Sequence, residues 1–98
     1  MATKTRRITT AAGDVTLDGV TEIHGYSIVT DGSNSATLKI YWDAAKADQR
    51  WEDTCIGPDQ VKAQQFSSPL KNPNVGTTVL SPSGTGGVFY VRYAGASS

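Results

Sequence analysis

An all-β fold, a small antiparallel β-sandwich or jelly-roll-like barrel of roughly seven to eight short strands, is what this sequence predicts. Three observations carry that expectation. In Ala36 to Asp43, the residues Ala36, Leu38, Ile40 and Trp42 alternate with Thr37, Lys39, Tyr41 and Asp43. Period two puts every second side chain on the same side of a pleated strand, so one face is apolar and the other mostly polar. Burial of one face only belongs to antiparallel sheets and sandwiches, because a strand inside a parallel sheet is apolar on both sides. Short runs of this kind recur between turn signals spaced roughly 8 to 12 residues apart. Thr, Ser and Gly are abundant while hydrophobic residues make up only 38%, the composition of short strands joined by many turns.

The 98 residues suffice for one domain with a single core. Nine basic residues balance nine acidic ones, and 18% of the chain is charged, below the roughly 25% of an ordinary domain. The total charge gives no electrostatic case for nucleic acid. Cys55 is the single cysteine, so no internal disulfide staples the fold. No apolar run approaches the roughly 20 residues that span a bilayer, and the first residues lack a signal peptide's apolar segment. Folding inside a cell, without a membrane partner, is therefore expected.

Taken in order, residues 1–8 contain the basic cluster Lys4, Arg6 and Arg7 leading into Ile8. They are expected to form a flexible arm, solvated or docked on a partner, ahead of a domain spanning 9–94. Gly13-Asp14 and Asp18-Gly19 mark two close turns around a brief strand containing Val15 and Leu17. Thr21 to Asp31 is a longer strand whose alternation breaks at Gly25, where a glycine signals a bulge or a close backbone approach. The polar stretch Asp31 to Ser35 follows and then Ala36 to Asp43, so these two strands are expected to pair as a hairpin. Ala44 to Asp48 is too short for a stable helix and reads as a loop.

Gln49 to Ile56 places Trp51, Asp53 and Cys55 on one side, with Trp51 as the core anchor. Gly57-Pro58-Asp59 breaks that strand, and a weakly patterned strand runs from Gln60 to Ser67. Pro69 to Gly76 carries two prolines and no periodicity, so a loop is expected there. Thr77 to Leu80 is a short strand, and Ser81 to Gly87 reads as a mobile connection. In the last strand, Val88 to Ala94, Phe89, Val91 and Tyr93 oppose Val88, Tyr90 and Arg92. Residues 95–98 are expected to be a disordered tail.

Chemical constellations are missing from the sequence. The single histidine, His24, sits mid-strand, and Gly25-Tyr26-Ser27 lacks the second glycine and following helix of a nucleophile elbow. Cys55 and His24 are two soft ligands on different strands, short of a zinc site. Asp31 to Asn34 lacks the alternating ligands and closing Glu of a calcium loop. The Gly-rich Ser83 to Gly87 has no Gly-Lys-Ser/Thr after it. No catalytic, metal or cofactor site is expected. Tyr and Arg are enriched at protein interfaces. Tyr41, Tyr90 and Arg92, on the outward faces of their strands, are therefore the candidate contact residues alongside Lys4, Arg6, Arg7 and Ile8.

The order Tyr26-Ser27-Ile28-Val29-Thr30, a Ser/Asn turn, Ala36 to Tyr41, Trp51-Glu52, Phe66-Ser67-Ser68-Pro69-Leu70 and Gly87-Val88-Phe89-Tyr90-Val91 resembles small β-sandwich virion accessory proteins of tailed bacteriophages. The resemblance spans Thr21 to Tyr93. It implies a non-enzymatic structural protein of the virion, made in the host cytoplasm. The form it implies is a decoration or cement protein on the assembled head, bound to the major capsid protein or another virion protein and self-associating, with a trimer one form. A neck, tail or fibre component, or a glycan-binding module stacking sugars on Tyr41 or Tyr90, is the alternative. If residues 1–8 are a docking arm, their removal leaves a folded domain that no longer binds particles.

Overall fold

The computed structural model describes residues 3–57, 60–72 and 77–95. Within them are eight strands and no helix: β1 (Lys4–Thr9), β2 (Val15–Asp18), β3 (Glu22–Val29), β4 (Ala36–Tyr41), β5 (Gln49–Cys55), β6 (Val61–Lys71), β7 (Thr77–Gly84) and β8 (Val88–Ala94). They form two four-stranded sheets, β1-β8-β3-β6 (sheet A) and β2-β7-β4-β5 (sheet B). Every pairing is antiparallel. Consecutive strands alternate between the sheets except where β4 pairs β5, which is the double-sheet jelly-roll arrangement.

The alternation of β4 does what its pattern requires. Ala36, Leu38 and Ile40 are fully buried and Trp42 nearly so, facing Ile23, Tyr26 and Ile28 of β3 and Phe89, Val91 and Tyr93 of β8 in one core. Leu17 of β2 and Leu80 of β7 complete it from the other flank of sheet B. The expected hairpin between Thr21–Asp31 and Ala36–Asp43 does not form, because β3 lies in sheet A and β4 in sheet B. Periodicity states that a face is buried but not whether the neighbour lies edge to edge or face to face. Residues 30–35 reach easily across the roughly 10 Å between packed sheets. The crossing is fixed by the Asp31 carboxylate, which accepts from the Ser33 and Asn34 amides, each at 2.9 Å.

Residues 4–8 are no arm. β1 begins at Lys4, opposite Tyr93, and Ile8 pairs with Phe89, with only 2% of Ile8 exposed. One buried isoleucine at the end of a polar stretch is enough to recruit that stretch into the sheet once β8 offers it an edge. The expected bulge at Gly25 is present: His24 and Gly25 together oppose Arg92. A Cβ on Gly25 would stand 2.5 Å from the Gln64 carbonyl oxygen and 2.6 Å from Arg92 Nη2, so only glycine lets these strands close up.

Two prolines, Pro69 and Pro82, lie inside strands in the second half of the chain. β6 continues through Pro69 to Lys71, because its register against β3 jumps from Gln65 to Leu70 and leaves Phe66 to Pro69 bowed out of the ladder. A proline costs no ladder bond in such an excursion on an edge strand. β7 continues through Pro82 to Gly84. Its neighbour β2 pairs only as far as Leu80, so at Pro82 one side of the strand has no ladder to lose. The expected loop therefore shrinks, and the Ser81–Gly87 connection is strand for its first half. The expected break at Pro58-Asp59, the end of the loop at 73–76 and the tail at 96–98 lie outside the described residues.

Candidate partner-binding face

Register decides which side chains share the outer surface of sheet A. Phe89, Val91 and Tyr93 point into the core, so Val88, Tyr90 and Arg92 point outward. The cross-strand pairings align three outward rows. Thr9, Val88, Val29 and Val61 form the first; Arg7, Tyr90, Ser27 and Ala63 the second; Thr5, Arg92, Gly25 and Gln65 the third. Val61 is 62% exposed and Tyr90 37%, and Val29 and Val88 are half-buried. One face thus carries an apolar end and, about two residues along each strand, an arginine-bearing end.

The structure brings together some of the expected contact residues and separates others. Arg7, Tyr90 and Arg92 converge on this face. Lys4 and Arg6 lie on the same strand but share Ile8's side of it, and both are exposed. Ile8 is a correction, since it belongs to the core. Tyr41 is on the other sheet, beside Val79, and half-buried. The valine row was missed because three different strands contribute one residue each. Val61 also sits in the strand with the weakest alternation, so only the pairing register assembles the patch.

A second group closes the opposite flank, where edge strands β5 and β6 meet. Asp53 points inward from β5 and accepts from the Tyr26 hydroxyl of β3. Trp51 Nε1 donates to that hydroxyl at 2.8 Å. Lys62 of β6 reaches Asp53 Oδ1 at 2.6 Å, and the Thr54 amide donates to the same oxygen at 2.8 Å. Trp51 and Phe66 pack edge to face with ring centroids 4.9 Å apart, and Phe66 lies 5.9 Å from Tyr26, geometries that add to the burial of the rings themselves. An inward carboxylate on an edge strand also discourages pairing with foreign strands.

The electrostatics of this seam fix its pH behaviour. Burial opposes ionisation of Asp53, but the Lys62 ammonium, the Tyr26 hydroxyl and the Thr54 amide outweigh it and hold the carboxyl below its ordinary 3.8. Burial first, and then the bond to Asp53, push the Tyr26 hydroxyl well above its ordinary 10.0, with Trp51 working against them. A depressed carboxyl contributes stability above its unfolded value and loses it as pH falls through the folded one. A raised phenol contributes below its unfolded value and loses it as pH rises beyond. Stability should therefore be flat from about pH 5 to about pH 9 and fall on both sides. Asp53→Asn should cost about 1–3 kcal/mol near neutrality and flatten the acid limb, as read by urea unfolding across pH. An acid limb unchanged in the variant would assign it to other carboxylates.

His24 Nε2 lies 3.0 Å from Glu22 Oε1 but is not aligned for a hydrogen bond. The two make a contact on the outer face of β3. Among the described residues, no cluster of His, Cys, Asp and Glu is arranged to hold a metal ion.

No protein-family model matches the chain, and no curated protein matches it. Among solved structures it is similar to the Drosophila NLP-core, whose crystal structure bears on pentamer formation and histone binding. The TM-score is 0.62 over 94% of this chain and 92% of that one, at 8% identity. The appendages of Bacillus endospores, disulfide-linked pili, align over 95% of this chain and 85% of that one at 12% identity with a TM-score of 0.47. At such identity the first likeness speaks to the fold alone, and function has to be argued from the surface.

Proposed function

We propose that this chain is a non-enzymatic structural subunit of a tailed-bacteriophage virion that binds the assembled head as a decoration or cement protein. The observation that carries the reading is the outer face of sheet A, where Val61 and Tyr90 stand exposed beside half-buried Val29 and Val88. Contiguous apolar residues rimmed by polar ones mark surfaces that meet a partner. The virion enters through the resemblance of Thr21 to Tyr93 to phage accessory proteins. The pentamers of the Drosophila protein with this fold support reading the subunit as self-associating. Fractionation of virions tests the proposal: the protein should remain with the head shell at a fixed ratio to the major capsid protein. Retention in tails or fibres, or absence from the particle, would overturn it.

A further inference from the structure

The zero net charge of the chain hides a division between its two sheets. The strands of sheet A carry Lys4, Arg6, Arg7, Lys62, Lys71 and Arg92 against a single acidic residue, Glu22. Those of sheet B carry Lys39 and Arg50 against Asp18, Glu52 and Asp53. The loops 10–14 and 42–48 join the sheet B side, because Asp14 accepts from Ser81 of β7 at 2.7 Å and pairs with Lys46 at 2.8 Å. These loops add Asp14, Asp43 and Asp48 against Lys46. A molecule that is neutral as a whole therefore has a basic sheet and an acidic sheet.

Three of the basic side's cations are also unneutralised. Among the described residues, no carboxylate lies within ion-pairing distance of Arg6, Arg7 or Arg92. Arg7 and Arg92 both point outward from sheet A, next to Tyr90. The Arg92 guanidinium lies across Gly25, where a side chain would collide with it. The valine row begins one outward position further along the same strands. Arginine and tyrosine bordering an exposed apolar patch is the composition of a protein-binding surface. A nucleic-acid backbone would use the arginines and leave three valines and Ala63 facing a polyanion with nothing to bury them.

We infer that the outer face of sheet A is the particle-facing side of the subunit, and that it docks an acidic protein surface bearing an apolar patch. The partner's carboxylates meet Arg7 and Arg92, and its apolar residues cover Val29, Val61 and Val88. The acidic sheet B is left facing solvent. This assignment rests on the proposed virion role and adds the orientation and the chemistry of the partner.

The test uses the purified full chain and phage heads assembled without it, with co-sedimentation as the readout. Unaltered circular dichroism and melting of each variant establish that it folds. Binding of the unaltered protein should weaken at least about tenfold as salt rises from roughly 0.05 to 0.5 M. Arg7→Glu and Val61→Asp, both at exposed positions, should each lose about tenfold or more in affinity. Lys39→Glu, on the outer face of sheet B, should bind as before. If Arg7→Glu and Val61→Asp bind normally while Lys39→Glu fails, the face is wrong and the virion role survives. If the unaltered protein binds no heads, both readings fall. Salt-dependent binding to duplex DNA in place of heads would also overturn the assignment.

Discussion

Removal of residues 1–8 is expected to abolish the cooperative unfolding transition altogether. The deletion takes away Ile8, whose side chain is buried against Phe89 in the core. A hole of that size alone costs about 2–5 kcal/mol. It also strips β1 from β8 over the pairs Lys4–Tyr93 to Ile8–Phe89, and so turns a central strand of sheet A into a bare edge. A domain of this size has about 5–15 kcal/mol in total, and the combined loss reaches into that range. Urea titration followed by tryptophan fluorescence would read the outcome. A sigmoidal transition in the truncated chain, with a midpoint near that of the full protein, would mean that β1 is dispensable and that the segment acts as an arm after all.

Trp42→Ala should cost about 3–5 kcal/mol. Trp42 is 6% exposed and packs into the core that joins the sheets. Its amide donates to the Asp48 carbonyl at 3.0 Å, a bond that alanine keeps, so the loss is one of packing. The loop beyond it stays fixed by the Asp43 carboxylate, which accepts from the Ala47 and Asp48 amides. The measurement is the urea midpoint at unchanged slope, compared with Glu52→Gln on the exposed face of the same sheet. That control should stay within about 0.5 kcal/mol of the parent. Equal effects of the two substitutions would contradict the buried position of Trp42.

Much of the fold is legible in the sequence because one-sided alternation is a local signal. Ala36, Leu38, Ile40 and Trp42 announce a buried face, and they form one. Gly25 announces a bulge, and one is present. What is not legible is which strand a buried face meets. β3 and β4, separated by six residues, look like a hairpin and are instead packed across the sandwich. Pro69 and Pro82 look like loop residues because the rule against proline in strands holds only where the ladder is continuous on both sides. The face proposed to bind shows the same limit more sharply. Tyr90 and Arg92 could be chosen residue by residue from their types and their strand parity, and Arg7 from the basic cluster near the N-terminus. The row Val88, Val29, Val61 exists only through the register of three strands drawn from distant parts of the chain.

The positions of β7 and β8 set the order in which this molecule can come into being. Each is flanked on both sides in its sheet, β7 by β2 and β4, and β8 by β1 and β3, yet both are synthesised after the other six described strands. Until Val88 to Ala94 has emerged from the ribosome, β1 has no neighbour and β3 has only one. Of the sequence-adjacent pairs only β4 and β5 can zip up early, across the short loop at 42–48. Every other pairing must close a long loop before it gains anything, which slows folding to the millisecond-to-second range typical of such β topologies. Chains synthesised short of β7 and β8 will therefore hold their core residues in the open, and the yield of folded protein should depend on how quickly these two strands are supplied.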